Sequence, residues 1–275
     1  MKVIQATGQT CNQFWIYSHH FAESIKTGEK ILILAPDIAL KDYPNLQEQT
    51  IIKFPFFSKT ISRIFGYKKN IQILNKIFAN KFSIKALTYL FKIIPKVTFF
   101  EGKMGHFTYK DSIKYTNEFK QIFKPTDTVL ETVNTFLQSK NSSFDVLVGV
   151  HIRRGDYISW NNGKFYYSDE EYSNIMMQMA QLFPNQRVSF LMCSNEKIKL
   201  ENFNTHNTLI FERSSAAIDL YGLSMCDYIV GPPSSYSSWA AFYGSKPFYF
   251  IMNPKNVISM EQFCNDKIDW PPSFY

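Results

Sequence analysis

The sequence lacks most patterns that identify metal-binding, secreted and membrane proteins. Its four cysteines, at positions 11, 193, 226 and 264, form no CxxC pair and have no histidines at metal spacing. No run of about eighteen apolar residues occurs, so no transmembrane helix is predicted. Residues 1–8 are too short and polar for a signal peptide. We therefore expect single buried or half-buried thiols in a cytoplasmic protein without a structural metal.

Common catalytic signatures are also missing. There is no GxGxxG dinucleotide fingerprint, Walker lysine motif, HExxH helix or GxSxG elbow. The acidic run at residues 169–171 is interpreted as the first turn of a helix rather than a metal site. The sequence therefore gives no support for four classes of enzyme: dinucleotide oxidoreductases, phosphate-loop enzymes, zincins and serine hydrolases.

Acidic residues are absent between Gln49 and Phe100, where ten lysines and arginines occur. The net charge is +7, so the rest of the chain carries −3. Within residues 70–91 apolar positions recur at three- and four-residue steps, which predicts amphipathic helices with a cationic face. The basic segment 53–96 is either a solvated face or a surface for anionic membrane lipid. A basic nucleic-acid-binding protein is the non-enzyme alternative.

The remaining sequence alternates strands and helices. Residues 2–6, 12–27 and 30–35 predict a βαβ unit, and a second series of alternating elements begins at residue 144. In that series we predict strands at 145–152, 187–193, 208–211, 228–230 and 247–251, and helices at 170–183, 215–226 and 235–243. The expected architecture is α/β, with two Rossmann-type parallel-sheet domains facing a cleft. Their predicted bounds are 1–140 and 141–275, with a linker near 139–143.

The densest polar pattern follows the predicted buried strand at 145–152. His151, Arg153, Arg154 and Asp156 lie at its carboxyl end, which is where open α/β sheets bind ligands. Adjacent guanidinium groups favour an anionic ligand such as a diphosphate, with Asp156 orienting one of them. An internal Arg–Asp salt bridge is the alternative.

Two further turns carry polar residues at predicted helix starts. After the strand at 228–230, two prolines precede Ser234 and Ser235, whose helix start could hold a phosphate or be an ordinary N-cap. Gly8, Asn12 and Gln13 follow the first strand, and Asn12 is interpreted as an N-cap. Together, the arginines and the serine turn predict a diphosphate site.

Residues 151–156 (HIRRGD) match the HxRRxD motif of α1,2-, α1,6- and protein O-fucosyltransferases. The order of motifs resembles the bacterial α1,2-fucosyltransferase family, glycosyltransferase family 11. Its opening GGLGNQ-type turn is similar to residues 8–13, and its late serine- and tryptophan-rich motif is similar to residues 234–241. The similarity spans nearly the whole chain in order.

The resemblance implies a GT-B-like fold and an inverting transfer of L-fucose from GDP-β-L-fucose to a glycan hydroxyl, with α1,2 linkage and no obligatory metal. No DxD metal motif is present. By this resemblance Arg153 engages the donor diphosphate and His151 lies near the nucleotide. The donor would bind residues 141–275, and the acceptor, which could be lipid-linked, would face residues 1–140. Asp156 is the nearest motif candidate for a general base, with His19 and Glu23 as further candidates.

The chain departs from the family pattern at two places. Gln9, Thr10 and Cys11 replace the usual Gly-Leu-Gly of the opening turn. Asn195 and Glu196 stand where the family has two aspartates after a serine. Asn195 and Glu196 are candidate donor-binding residues, and another nucleotide sugar remains the alternative donor.

Overall fold

The computed structural model describes residues 1–6, 8–33, 41–47, 89, 98–102 and 112–264. The chain forms two compact units, Met1–Thr126 and Asp127–Tyr275, each with its own parallel sheet. This confirms the predicted α/β class with two parallel sheets. The boundary predicted after residue 140 lies one helix later than the division between the units. The basic segment 53–96, with its predicted helices, lies outside the described residues except for Tyr89.

The first unit has a three-stranded parallel sheet in the order β2-β1-β3. Helix α1 follows β1 as predicted and ends at Gly28, whose φ of 71° is the left-handed conformation that glycine adopts readily. The elements are β1 Lys2–Ala6, α1 Thr10–Thr27, β2 Ile31–Ile33, α2 Pro44–Gln47, β3 Thr98–Gly102 and α3 Thr116–Ile122.

The second unit has a five-stranded sheet in the order β6-β5-β4-β7-β8, with every pairing parallel. Strand β4 is central and fully buried, as its nearly continuous apolar run predicts. The elements are α4 Asp127–Lys140, β4 Val146–Ile152, α5 Asp169–Gln181, β5 Val188–Ser194, β6 Thr208–Leu209, α6 Ala216–Met225, β7 Tyr228–Gly231, α7 Ser235–Gly244 and β8 Phe248–Phe250.

Helices cover both faces of this sheet. On one face Val148 and Val150 share a buried cluster with Met176 of α5. On the other face α6 lies so close to Gly149 that a Cβ there would be 2.8 Å from Leu223. A glycine in the central strand is therefore required by the approach of this helix. The arrangement is the doubly wound sheet expected from the alternation of elements.

All strands of the second sheet run in one direction, so its two edges are chemically distinct. The amino edge, where the strands begin, carries an exposed pair between Arg187 and Asp145, with Nη2 and Oδ1 2.8 Å apart. Hydrogen bonds from Arg187 lower the pKa of Asp145 to about 2. The carboxyl edge, where the strands end, receives the HIRRGD motif from β4, Asn195 from β5 and the serine turn from β7.

The four cysteines are free thiols, of which three are buried and Cys264 is half-buried. This agrees with the thiol state expected from their spacing. Among the described residues, no helix is long and apolar enough to cross a membrane.

Candidate functional site

Arg153 is braced directly after the central strand. Its Nη2 lies 2.7 Å from Asp156 Oδ1, and its guanidinium lies 5.3 Å from the centre of the Tyr157 ring. Its backbone N–H donates to the Tyr172 hydroxyl over 3.3 Å. The side chain is 13% exposed, so its charge is largely shielded from water. The salt bridge between Arg153 and Asp156 that was the alternative interpretation is present, and an orienting role of Asp156 toward a ligand stays a prediction.

Arg154 turns toward helix α5 instead. Its Nη2 donates to Asp169 Oδ1, and its guanidinium lies 5.5 Å from the Tyr166 ring centre. Asn202 Nδ2 donates to the other Asp169 oxygen over 2.5 Å. Desolvation opposes the Arg154 charge, but the bond and charge of Asp169 outweigh it, so the pKa of Arg154 rises. The two adjacent arginines therefore have different partners.

Asn195 holds the backbone of the motif. Its Oδ1 accepts from the Arg154 N–H over 2.8 Å, and its Nδ2 donates to the Arg154 carbonyl over 3.2 Å. Gly155 has φ +61°, and a Cβ there would be 2.7 Å from Asn195 Nδ2 and 3.7 Å from Glu196 Oε1. The structure thus brings the predicted residues Asn195 and Glu196 next to the HIRRGD motif. Both polar groups of the Asn195 amide are used in this clamp.

His151 is enclosed at the end of β4. Its side chain is 3% exposed, and its ring centre lies 5.1 Å from that of Tyr236 in α7. Burial, with a smaller contribution from the Arg153 charge, lowers the pKa of His151 to about 3. The ring is therefore neutral at physiological pH, and its buried Nδ1 has no hydrogen-bond partner. An unsatisfied buried nitrogen is uncommon in native proteins and points to a ligand group.

The serine turn lies against the arginine motif through Tyr157. The Tyr157 hydroxyl donates to the Pro233 carbonyl over 2.5 Å, and burial raises the pKa of Tyr157 to about 12. Ser234 caps α7, accepting from the Tyr236 N–H over 3.2 Å, and Ser235 is the first residue of the helix. The start of this ten-residue helix therefore lies next to Tyr157, whose ring contacts Arg153. Its first backbone N–H groups attract negative charge.

The predicted residues Gly8, Asn12 and Gln13 lie in the first unit. Gly8 has φ +95°, and its carbonyl accepts from Gln13 Nε2 over 2.9 Å. The prediction of Asn12 as N-cap is wrong, because the helix starts at Thr10 and Gln9 is its N-cap. The left-handed Gly8 turns the chain early enough for α1 to begin two residues sooner than its apolar spacing indicates.

The further candidates for a general base lie on α1. Among the described residues, His19, His20 and Glu23 have ligand atoms within 4.8 Å of one another, a group that could hold a metal ion. The Lys2 ammonium, however, lies 2.7 Å from Glu23 Oε2 and already neutralises that carboxylate. Burial and the neighbouring His19 charge lower the pKa of His20 to about 4.

The roles of the aromatic residues around the motif were not predictable from the spacing of the motif itself. Tyr157, Tyr166 and Tyr236 each contact an arginine or the histidine of the motif. Asp169 was expected only as an acidic first-turn residue, which it is, and it also pairs with Arg154. Tyr157 directly follows the motif in sequence, and this adjacency was the available signal. The partners of Tyr166 and Tyr236 depend on tertiary structure.

Comparison with known proteins places the chain in one family. The model of "Glycosyl transferase family 11" matches residues 43–270. No curated protein sequence matches the chain. Among solved structures, fucosyltransferase NodZ from Bradyrhizobium is similar with a TM-score of 0.56 and 14% identity, covering 97% of this chain and 99% of that one.

Two other solved structures have the same fold. POFUT1 in complex with GDP-fucose has a TM-score of 0.57 at 9% identity, covering 88% of this chain and 93% of its own. An Arabidopsis thaliana FUT1 variant in complex with GDP has a TM-score of 0.56 at 13% identity, covering 98% and 74%. At these identities the likeness shows the GT-B-like fold. The family model matches most of the length of this chain, which shows that the chain belongs to glycosyltransferase family 11.

Proposed function

We propose that the protein is an inverting fucosyltransferase that moves L-fucose from GDP-β-L-fucose to a hydroxyl of a surface polysaccharide or oligosaccharide, forming an α1,2 linkage. Family membership and the GDP or GDP-fucose in solved structures of the same fold support this proposal. The observation that carries it is the braced Arg153, held at the carboxyl end of β4 beside the start of α7.

The chemical demand is to stabilise charge on the departing diphosphate. In this proposal Arg153 binds the diphosphate, and the N–H groups at Ser234 and Ser235 contribute a second positive pole. Arg154 adds charge nearby while it remains paired with Asp169. In this proposal the charge on the departing diphosphate is stabilised by cationic side chains and backbone amides. Each lost contact of this kind costs about 3 kcal/mol of transition-state stabilisation.

Three other residues receive roles from their surroundings. His151 meets the nucleotide through its buried, unpartnered Nδ1. Glu196 is the exposed carboxylate beside the motif and the candidate for base recognition, since the Asn195 amide is used by the Arg154 backbone. Asp156 holds Arg153 at 2.7 Å, which favours an orienting role over that of general base.

The experiment is a thermal-shift panel at millimolar concentration followed by a transfer assay. GDP and GDP-fucose should raise Tm, because a ligand at about a hundred times its Kd stabilises by about 2.7 kcal/mol. UDP and oligonucleotides should leave Tm unchanged. GDP release in the presence of lactose, which has a free galactose 2-hydroxyl, then tests transfer. Stabilisation by an oligonucleotide alone would support the nucleic-acid-binding alternative.

One observation favours a nucleotide sugar other than GDP-fucose as the donor. The family's acidic pair is replaced by Asn195 and Glu196, and the Asn195 side chain faces the Arg154 backbone. Base recognition would then rest on fewer groups than in relatives with two aspartates. Stabilisation by UDP or ADP sugars, with none by GDP, would replace the proposed donor.

The location of the acceptor remains part of the proposal. We assign the basic segment 53–96 to the cytoplasmic face of an anionic membrane, where lipid-linked glycans occur. Ten basic residues without an acid support this assignment, since each contributes about 1 kcal/mol near such a surface. Flotation with anionic vesicles and not with neutral ones is the expected result. Equal flotation with both would contradict it.

A further inference from the structure

The loop after the HIRRGD motif exposes two large apolar side chains. Ile158 is 68% exposed and Trp160 is 38% exposed, directly after the buried Tyr157. Large apolar side chains exposed next to one another commonly mark a binding surface. The proposed donor chemistry assigns neither residue a role.

The Trp160 ring is held rigidly. Its centre lies 4.6 Å from that of Tyr157 and 5.5 Å from that of Phe165, with interplanar angles of 32° and 36°. Phe165 is itself fully buried, and the Lys164 ammonium lies 5.2 Å from its ring centre. An aromatic side chain fixed by two others loses little conformational freedom when a ligand binds it.

The backbone of this loop adopts an uncommon conformation. Asn161, Asn162 and Gly163 have φ values of 49°, 57° and 74°, so three consecutive residues are left-handed. A Cβ at Gly163 would be 3.0 Å from the Ile158 carbonyl oxygen, which shows how tightly the loop closes. Strained residues of this kind cluster at ligand sites. Asn161 and Asn162, which directly follow Trp160 in this turn, are both exposed.

The exposed ring is close to the proposed reaction centre. The Arg153 guanidinium lies 5.3 Å from the centre of the Tyr157 ring, and the centre of the Trp160 ring lies 4.6 Å from that same centre. The Trp160 ring centre and the Arg153 guanidinium are therefore at most about 10 Å apart. A fucosyl group on a diphosphate held by Arg153 spans a comparable distance.

We propose that Trp160 and Ile158 form an acceptor subsite, in which the sugar that receives fucose packs its apolar C–H groups against the exposed part of the Trp160 side chain and against Ile158. Asn161 and Asn162 supply amide groups for its hydroxyls. Exposed apolar side chains with amides nearby in the same loop match a neutral pyranose, which has apolar faces and a polar rim. This inference rests on the proposed function and deepens it by assigning acceptor recognition to the second unit.

The kinetic test uses Trp160→Ala and Trp160→Phe with lactose as acceptor and GDP-fucose as donor. Trp160→Ala should raise the KM for lactose about tenfold, while Trp160→Phe keeps it within about threefold. The Tm shift given by GDP should be the same in both variants as in wild type. Met225→Ala removes a side chain of similar exposure, 42%, from the end of α6 and should leave KM unchanged.

Tryptophan fluorescence gives a readout that does not depend on turnover. Trp15 and Trp239 are 2% and 1% exposed, so among the described tryptophans only Trp160 is accessible to a sugar. Lactose added with GDP should shift the emission of wild type and leave that of Trp160→Phe unchanged. An unchanged lactose KM in Trp160→Ala, in a protein whose wild type transfers fucose, overturns the inference alone. A wild type that GDP does not stabilise and that transfers no fucose overturns the proposed function as well.

Discussion

Arg153 and Arg187 are both arginines paired with an aspartate, yet they lie at opposite edges of the same sheet. Arg153 is 13% exposed and braced by Tyr157, whereas Arg187 is 60% exposed on the amino edge. The difference in position decides which of them can reach a ligand, because parallel sheets bind ligands at the carboxyl ends of their strands.

Arg153→Ala should lower the rate of fucose transfer by about 100-fold or more, since removing one donor to a developing anion costs about that much. Turnover is measured as GDP release at saturating GDP-fucose. Arg187→Ala, the matched control, should retain wild-type turnover. Near-normal transfer by Arg153→Ala would remove the basis of the proposed function.

At the scale of elements, the motif turn and helix α5 are joined by one ion pair. Arg154 reaches Asp169 in the first turn of α5, whose N-terminus is closed by a capping box between Ser168 and Glu171. The helix is therefore fixed both by its own cap and by the residue next to the diphosphate-binding arginine. A substitution that destabilises α5 should therefore also displace the HIRRGD motif, and a substitution in the motif should destabilise α5.

A double-mutant cycle with Arg154→Met and Asp169→Asn tests this link. We expect a coupling of about 1 kcal/mol in the free energy of unfolding, as for half-buried ion pairs, measured by urea denaturation. Asp169→Asn should also slow transfer while leaving Arg153 in place. Additive effects of the two substitutions would show that the pair does not hold the helix to the turn.

Most elements of the second unit could be predicted from sequence, because their signals are local. Helix α5 was predicted at 170–183 and found at Asp169–Gln181, and β4 differs from its prediction by one residue. The Arg153–Asp156 pair was also predictable, as both residues lie in one turn. The bond from Tyr157 to Pro233 was not, since these residues are 76 positions apart and meet only because β4 and β7 are neighbours.

At the scale of the whole molecule, both units contain a buried, neutral histidine among the residues that the structure describes, His20 in the first and His151 in the second. Their pKa values are lowered to about 4 and about 3. Because these pKa values are lowered in the folded state, the unfolded chain binds a proton at a higher pH than the folded chain does. The stability that the two neutral histidines contribute is therefore fully present above about pH 6.5, and it is lost as the pH falls toward their folded-state pKa values. Asp219 in the second unit acts in the opposite direction, since burial raises its pKa to about 6.

Acidification from pH 7 to pH 5 should therefore lower Tm, and His20→Asn should reduce that decrease. The asparagine amide retains a donor near Glu23 but does not titrate. At pH 5 the lowered pKa of His20 reduces the free energy of unfolding by about 2 kcal/mol relative to neutral pH. Calorimetry at several pH values measures the effect. Parallel Tm profiles for wild type and His20→Asn would contradict it.

The order of strands in the first sheet has a consequence for synthesis on the ribosome. Strand β1 lies in the middle, pairing with β2 at residues 31–33 and with β3 at residues 98–102. Translation proceeds at about 5–20 residues per second, so one side of the nascent β1 waits for several seconds without its partner. An unpaired strand edge is a template for aggregation. Expression should therefore depend on chaperones that act during translation, before residue 102 has left the ribosome.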